Sequence, residues 1–476
     1  MKIETKQGSV IGLEAAGLQT YLGIPYAKPP VGELRWQPPQ PVAPWSSLEA
    51  TRHQNRCLQT PYADVLSGHE LPGEESEDCL YLNIYTPGTE GKRPVMVWIH
   101  GGAYLQGSAN EYDGSRLAAE NDVVVVCINY RLGIFGYFDL SRYGDAFTGS
   151  ASLGFQDQQA ALRWVQENIA DYGGDPDCVT IFGESAGAGS VLCQLCSPSA
   201  EGLFHRAAAL SPGEVLTPPV DNVALLSAHF GISEDELLAH LMSLSGLALR
   251  DLQVNGTFIV AASVDGTVVT QANTPGVRAR GDSVPLVIGS CRDEGTLFTP
   301  IMEPDQAEMT AMMLAVSVGN GDAAHYIARR NAIMAGADMV ALVERTWTDL
   351  FRSVVLRCGQ GATEAGAGGW VYNFNVPTDN PLGITHASDI AFVFNQLNSD
   401  GLCFHDTDSA DNQRIARLWS STLARFARTG NPNGGDLPDW PHYDAEKRAC
   451  LILDHSPHIE NDPDGPEWRD AYKVEG

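Results

Sequence analysis

The chain has 476 residues, a length that permits two or three domains or one large α/β domain with insertions. Its 43% hydrophobic and 19% charged content is that of a globular protein well able to bury a core. Acidic residues outnumber basic ones by 59 to 30, a formal charge of −29, and such a polyanion repels nucleic acid and anionic membrane surfaces, so neither is an expected partner.

The chain opens on MKIETKQGSVIGLEA, which is charged and has no apolar h-region. No secretory signal is expected there, and the cytoplasm is the expected compartment. No run of about eighteen apolar residues follows anywhere, so no membrane span is expected. Among the ten cysteines, Cys193 and Cys196 form one CxxC with no second pair at metal-site spacing. Neither metal nor organic cofactor is expected. With no fixed-period repeat and no long linker, residues 1–476 are expected to form a single α/β domain.

Apolar runs suited to buried strands recur at Val95–Ile99, Val123–Ile128, Val179–Phe182, Ala207–Leu210 and Leu286–Ile288. Between them lies a helical pattern, Gln156–Ile169, whose Ala160, Leu162, Trp164, Val165 and Ile169 share one face. DYGGDPD then supplies a glycine stop. Strand, helix and strand in succession predict a mostly parallel sheet flanked by helices. Two stretches, 222–250 and 303–357, read as helices without strands between them. The second is rich in methionine: Met309, Met312, Met313, Met334 and Met339. Because both flank the candidate catalytic loops, they are expected to form a cap rather than ordinary packing.

The run PVMVWIHGGAY (94–104) is a buried strand entering His100, Gly101 and Gly102. Glycines at a strand end let backbone amides approach a substrate oxygen closely, as an oxyanion hole requires. His100 precedes the glycines on the strand end and is not expected to be a base. The run VTIFGESAGAGS (179–190) is a strand, then GxSxG, then small residues able to open a helix. That is the sequence form of a sharp turn holding Ser185 out as a nucleophile. The amides of Gly101, Gly102 and Ala186 are the expected oxyanion donors.

In this order of motifs an acid and then a histidine should follow the serine. PLVIGSCRDEGTLF (285–298) offers Asp293 or Glu294 at a strand end, and the pattern does not separate them. The base must come from His325, His386, His405, His442, His455 or His458. His325 lies in a helical pattern. His386 follows the aromatic strand WVYNFNV (370–376) through a turn-rich loop, whereas His455 follows ACLILD (449–454) and is its rival.

These motifs sit among longer stretches: GIPYAKPPVGELRWQPPQPV (23–42), EDCLYLNIYTP (77–87), NYRLGIFGYF (129–138), LFHRAAALS (203–211) and HASDIAFVF (386–394). Together with LGFQDQQAALRWVQENIADYGGDPDCVTIFGESAG (153–187) they resemble the type-B carboxylesterases, the cholinesterase-like branch of the α/β-hydrolase fold, nearly end to end. The resemblance implies Ser185 as nucleophile, Glu294 rather than Asp293 as triad acid, and His386 rather than His455 as general base. It also implies Ser211 and Asp389 as hydrogen-bonding groups around the acid and base, and Glu184 as a buried neighbour of the serine. Cys57 and Cys79 match the positions of a family disulfide. The implied reaction is hydrolysis of a small-molecule or polymeric ester through an acyl-enzyme, with amide, carbamate or polyester bonds as the alternative substrates. A non-catalytic adhesion role is disfavoured because every catalytic position is filled.

There are departures. The stretch from Glu294 to His386 is shorter than in many members, which implies a trimmed cap and a more open cleft. Region 57–75 lacks an obvious aromatic anchor for a quaternary ammonium group, against choline specificity. LSPGEV (210–215) departs from the commoner pattern around Ser211 and leaves the acyl pocket undefined.

Overall fold

A computed structural model describes the chain apart from residues 60–70, 216–219, 281–283, 300–306, 398–404 and 475–476. Most of region 57–75 and the start of the second helical insertion (303–306) thus lie outside the described residues. By internal contacts the chain divides into two compact units, Met1–His205 with Val215–Ala272 and Arg206–Glu214 with Asn273–Gly476.

In the first unit the strand Arg93–Ile99 lies between two parallel neighbours. Val124–Ile128 pairs with it from Val95 to Ile99, and Gly174–Glu184 pairs from Val179 opposite Val95 to Gly183 opposite Ile99. All five residues of Val124–Ile128 are buried, as expected of strands covered on both faces. Tyr81–Thr86, Leu18–Pro25 and Leu13–Ala15 continue the order antiparallel. The helix read at 156–169 runs Leu153–Asn168 and buries Leu153, Phe155, Leu162, Trp164 and Val165. It runs out through a short 3-10 turn into Gly173 at φ 80°, a left-handed stop that glycine adopts without steric cost.

The same helix buries polar groups, and each has a partner. Gln158 bonds Ser190, and Gln159 bonds Gln194 and Ser197, at 3.0 Å. Asp157 receives Arg131 bidentately at 2.7 Å to each oxygen. Unpaired, any of these would cost more than an apolar side chain in its place.

In the second unit Arg206–Leu210, Leu286–Cys291, Gly369–Phe374 and Ala449–Leu453 pair in parallel in that order, and His458–Asn461 closes the edge antiparallel. The long helix Met339–Ala365 carries a buried anchor, Asp349. Tyr326 Oη donates to it at 2.7 Å and Tyr472 Oη at 2.6 Å, and the Arg345 guanidinium pairs with its charge, Nε standing 2.6 Å from Oδ1. Periodicity marks such a helix but not this polar cluster on its inner face.

Both helical insertions are present. Asn222–Phe230, Glu234–Ser243 and Gly246–Val254 belong to the first unit, and Ala307–Val318, Ala323–Ile333 and Met339–Ala365 to the second. Met309, Met312, Met313 and Met339 are exposed rather than packed into a core. No helix among the described residues is long and apolar enough to cross a membrane.

Candidate active site

In the first unit, the strand Gly174–Glu184 ends on Ser185, whose backbone sits at φ 56°, ψ −122°, and the helix Ala186–Leu195 begins at the next residue. A non-glycine residue held there stores strain that the surroundings must impose. Those surroundings are tight. A Cβ on Gly183 would stand 2.6 Å from Ile99 O, and one on Gly187 only 2.0 Å from it. Both glycines of GxSxG are therefore required by the neighbouring strand, and the turn aims Ser185 at the start of a helix, where amides and the dipole favour negative charge.

The glycine loop lies against this turn. A Cβ on Gly101 would come within 2.8 Å of Glu184 Oε2 and 3.1 Å of Ser185 Cβ. Gly102 sits at φ 102°, and its carbonyl accepts from Leu105 N and Gln106 N at 2.9 and 3.0 Å. Glu184 is buried at the side of the loop. Ala103 and Tyr104 also have positive φ, 55° and 61°, a strain invisible in the sequence because neither residue is glycine.

His100 holds the loop. Its Nδ1 is 2.9 Å from Gly101 O, and because a carbonyl only accepts, Nδ1 carries the proton. Tyr130 stacks on the ring at 4.4 Å and donates from its hydroxyl to His100 O at 2.7 Å. Burial pushes the imidazole pKa down to about 4, so the ring is neutral and serves as a brace.

In the second unit, the strand Arg206–Leu210 delivers Ser211 at φ 53°, fully buried. Its Oγ donates to Glu294 Oε1 at 2.5 Å, and Cys291 N donates to the same oxygen at 2.7 Å. The other oxygen, Oε2, is 2.5 Å from His386 Nδ1. Asp293, the neighbour that the pattern alone left as an equal, does something different. It accepts from Ile384 N at 2.9 Å and pairs with Arg292, tying down the loop that carries His386. Of the other histidines, His455 bonds Asn412 at 2.8 Å, His405 bonds Val376 O at 3.0 Å, and His325 is half exposed beside Asp470.

His386 is buried against two aromatic rings, with Phe351 stacked at 4.5 Å and Phe298 tilted at 5.3 Å. Neither was singled out from the sequence; the only available signal was aromatic residues near the acid and on the following helix. Three residues after the histidine, the buried Asp389 accepts from Tyr372 Oη at 2.7 Å. Burial, opposed by that hydrogen bond but aided by the Glu294 charge, lifts its pKa from 3.8 to about 7. Cys57 and Cys79, in the first unit, are both buried free thiols. Cys57 Sγ accepts from Leu132 N at 3.3 Å and also hydrogen-bonds Cys79.

Chemically, the first unit offers a serine exposed by a strained turn beside a loop of glycine amides, and the second a histidine oriented by a fully bonded carboxylate, each a kind of group that acyl transfer uses. The model of the carboxylesterase family matches residues 1–468. The para-nitrobenzyl esterase of Bacillus subtilis is 36% identical over 495 residues, covering 100% of this chain and 99% of that protein. The human cocaine esterase is 35% identical, covering 94% of this chain and 86% of its own length. Among solved structures, a PNB esterase superposes with a TM-score of 0.88 at 32% identity, and a Geobacillus stearothermophilus carboxylesterase with 0.84 at 35%, each covering 99% of both chains. The fold is thus that of the α/β-hydrolases, and the chain belongs to the carboxylesterase family, enzymes that hydrolyse carboxylic esters.

Proposed function

We propose that the protein hydrolyses carboxylic esters through a Ser185–His386–Glu294 triad and an acyl-enzyme intermediate. The observation that carries this reading is the 2.5 Å hydrogen bond between Glu294 Oε2 and His386 Nδ1. It fixes the tautomer: with Nδ1 bearing the proton for the carboxylate, Nε2 has the lone pair a general base needs. His386 Nε2 takes the Ser185 proton as Oγ attacks the ester carbonyl, and Glu294 steadies the imidazolium that forms.

The developing oxyanion is held by amides, for which Gly101, Gly102 and Ala186 are the donors in this reading. Each such donor is worth about 3 kcal/mol of transition-state stabilisation. The alcohol leaves with the proton from His386. Water, activated by the same histidine, then hydrolyses the acyl-enzyme and restores the serine. Small-molecule esters are the proposed substrates, and the charge of −29 favours neutral or cationic ones over anionic ones. The helical stretches 222–250 and 303–357 are proposed as the cap.

A fluorophosphonate probe tests the assignment. It should label one serine per chain, with the mass shift on the peptide containing Ser185. Labelling of another residue, or none in protein that turns over esters, contradicts it.

A further inference from the structure

The helix Met339–Ala365 meets the residue beside the acid of the proposed triad, and the base itself, one turn apart. Thr348 Oγ1 accepts from Gly295 N at 3.0 Å, next to the acid, and donates to Glu344 O at 3.1 Å. Three residues on, Phe351 lies on the His386 ring at 4.5 Å with the planes 27° apart. Positions i and i+3 share a helix face, so one rigid surface holds the backbone of Gly295, next to Glu294, and the ring of His386. The approach is close: a Cβ on Gly295 would stand 1.9 Å from Glu344 O. The helix in turn is held by the buried Asp349 with Tyr326, Tyr472 and Arg345.

Phe351 is 5% exposed and lies against the ring of a buried histidine. A flat ring over an imidazole limits rotation about the Cβ–Cγ bond and so adds to the restraint that the hydrogen bond to Glu294 imposes at Nδ1. Its face also attracts the imidazolium that forms as the serine attacks. We infer that Phe351 is a positioning residue for the general base, acting on His386 rather than on the substrate, with Thr348 holding the acid in register with it. The inference rests on His386 being the base.

The experiment compares wild type, Phe351→Leu, Phe351→Tyr and His386→Ala on p-nitrophenyl acetate, butyrate and octanoate, the first three corrected for active sites with the fluorophosphonate and His386→Ala for folded protein. The Leu variant is expected to lose about tenfold in kcat, since a base works only in narrow geometry. Its KM should stay within about twofold and the loss should be equal for all three chain lengths. Tyr, which keeps the ring, should recover most of kcat even if the Leu variant is poorly folded. Wild-type kcat in both variants, or a loss confined to KM and growing with chain length, overturns the inference. Retained activity in His386→Ala instead overturns the reading of the base, which separates the two failures.

Discussion

Glu294 and His386 meet at 2.5 Å, and the carboxylate has no freedom to turn away, because its second oxygen is held by Ser211 Oγ and Cys291 N. A carboxylate bonded on both oxygens stays put while the imidazole beside it changes charge, so orientation is already in place when the reaction begins.

Glu294→Gln should therefore lower kcat by about 10³–10⁴, because the amide can present the wrong group to Nδ1 and favour the wrong tautomer. Asp293→Asn keeps an oxygen for Ile384 N and should lose less than about tenfold. Kinetics of the two variants on one ester check this. Equal losses would show that the two carboxylates share the role.

Asp389 gives stability a pH dependence. Its folded pKa, about 7, lies above its ordinary 3.8, so the folded chain binds a proton that the unfolded chain releases. The stabilising contribution is complete below about 4 and is lost as pH rises through about 7. Thermal unfolding of wild type should drop more between pH 5 and pH 8 than that of Asp389→Asn, which cannot ionise. Parallel curves for the two would contradict the assignment.

Gly187 bears directly on the turn. A Cβ there falls 2.0 Å from Ile99 O, backbone that cannot move without parting two strands. Gly187→Ala should cost more than about 4 kcal/mol, or abolish soluble protein altogether. Gly88→Ala, which meets nothing within 4 Å, should stay within about 0.5 kcal/mol. Chemical denaturation compares the pair, and a tolerated Gly187→Ala would mean the turn is looser than described.

The two glycine turns, at 100–104 and 183–187, are legible because glycines and a strand-forming run mark them in one dimension. Strand ends were read within a few residues, Val95–Ile99 becoming Arg93–Ile99 and Leu286–Ile288 becoming Leu286–Cys291. The choice between Asp293 and Glu294 was not legible from pattern, because adjacent residues entering a 3-10 turn point different ways. Resemblance named Glu294 as the acid, and hydrogen bonding shows where each points. The positive φ of Ala103, Tyr104 and Ser211 is not legible in the sequence, because strain imposed by neighbours leaves no mark on residue type. The antiparallel strands near the N-terminus and the charged cluster around Asp349 were missed because short strands and buried ion pairs carry little periodic signal.

Arg131 and Asp157 form the most buried ion pair described, with side chains 2% and 0% exposed. Arg131→Met leaves Asp157 with the backbone N–H of residue 131 but without its counter-charge and should cost about 3–5 kcal/mol, whereas Arg131→Met with Asp157→Leu should recover much of that loss. Denaturation midpoints of the single and double variants decide it. A double variant no better than the single would place the cost in packing rather than charge.

The central claim is that Ser185 is the nucleophile, and turnover of p-nitrophenyl esters of graded acyl length by wild type and Ser185→Ala tests it most directly. The account predicts loss of at least about 10⁴ in kcat for every ester, in a variant whose thermal midpoint stays close to wild type. Wild-type turnover by Ser185→Ala would contradict it.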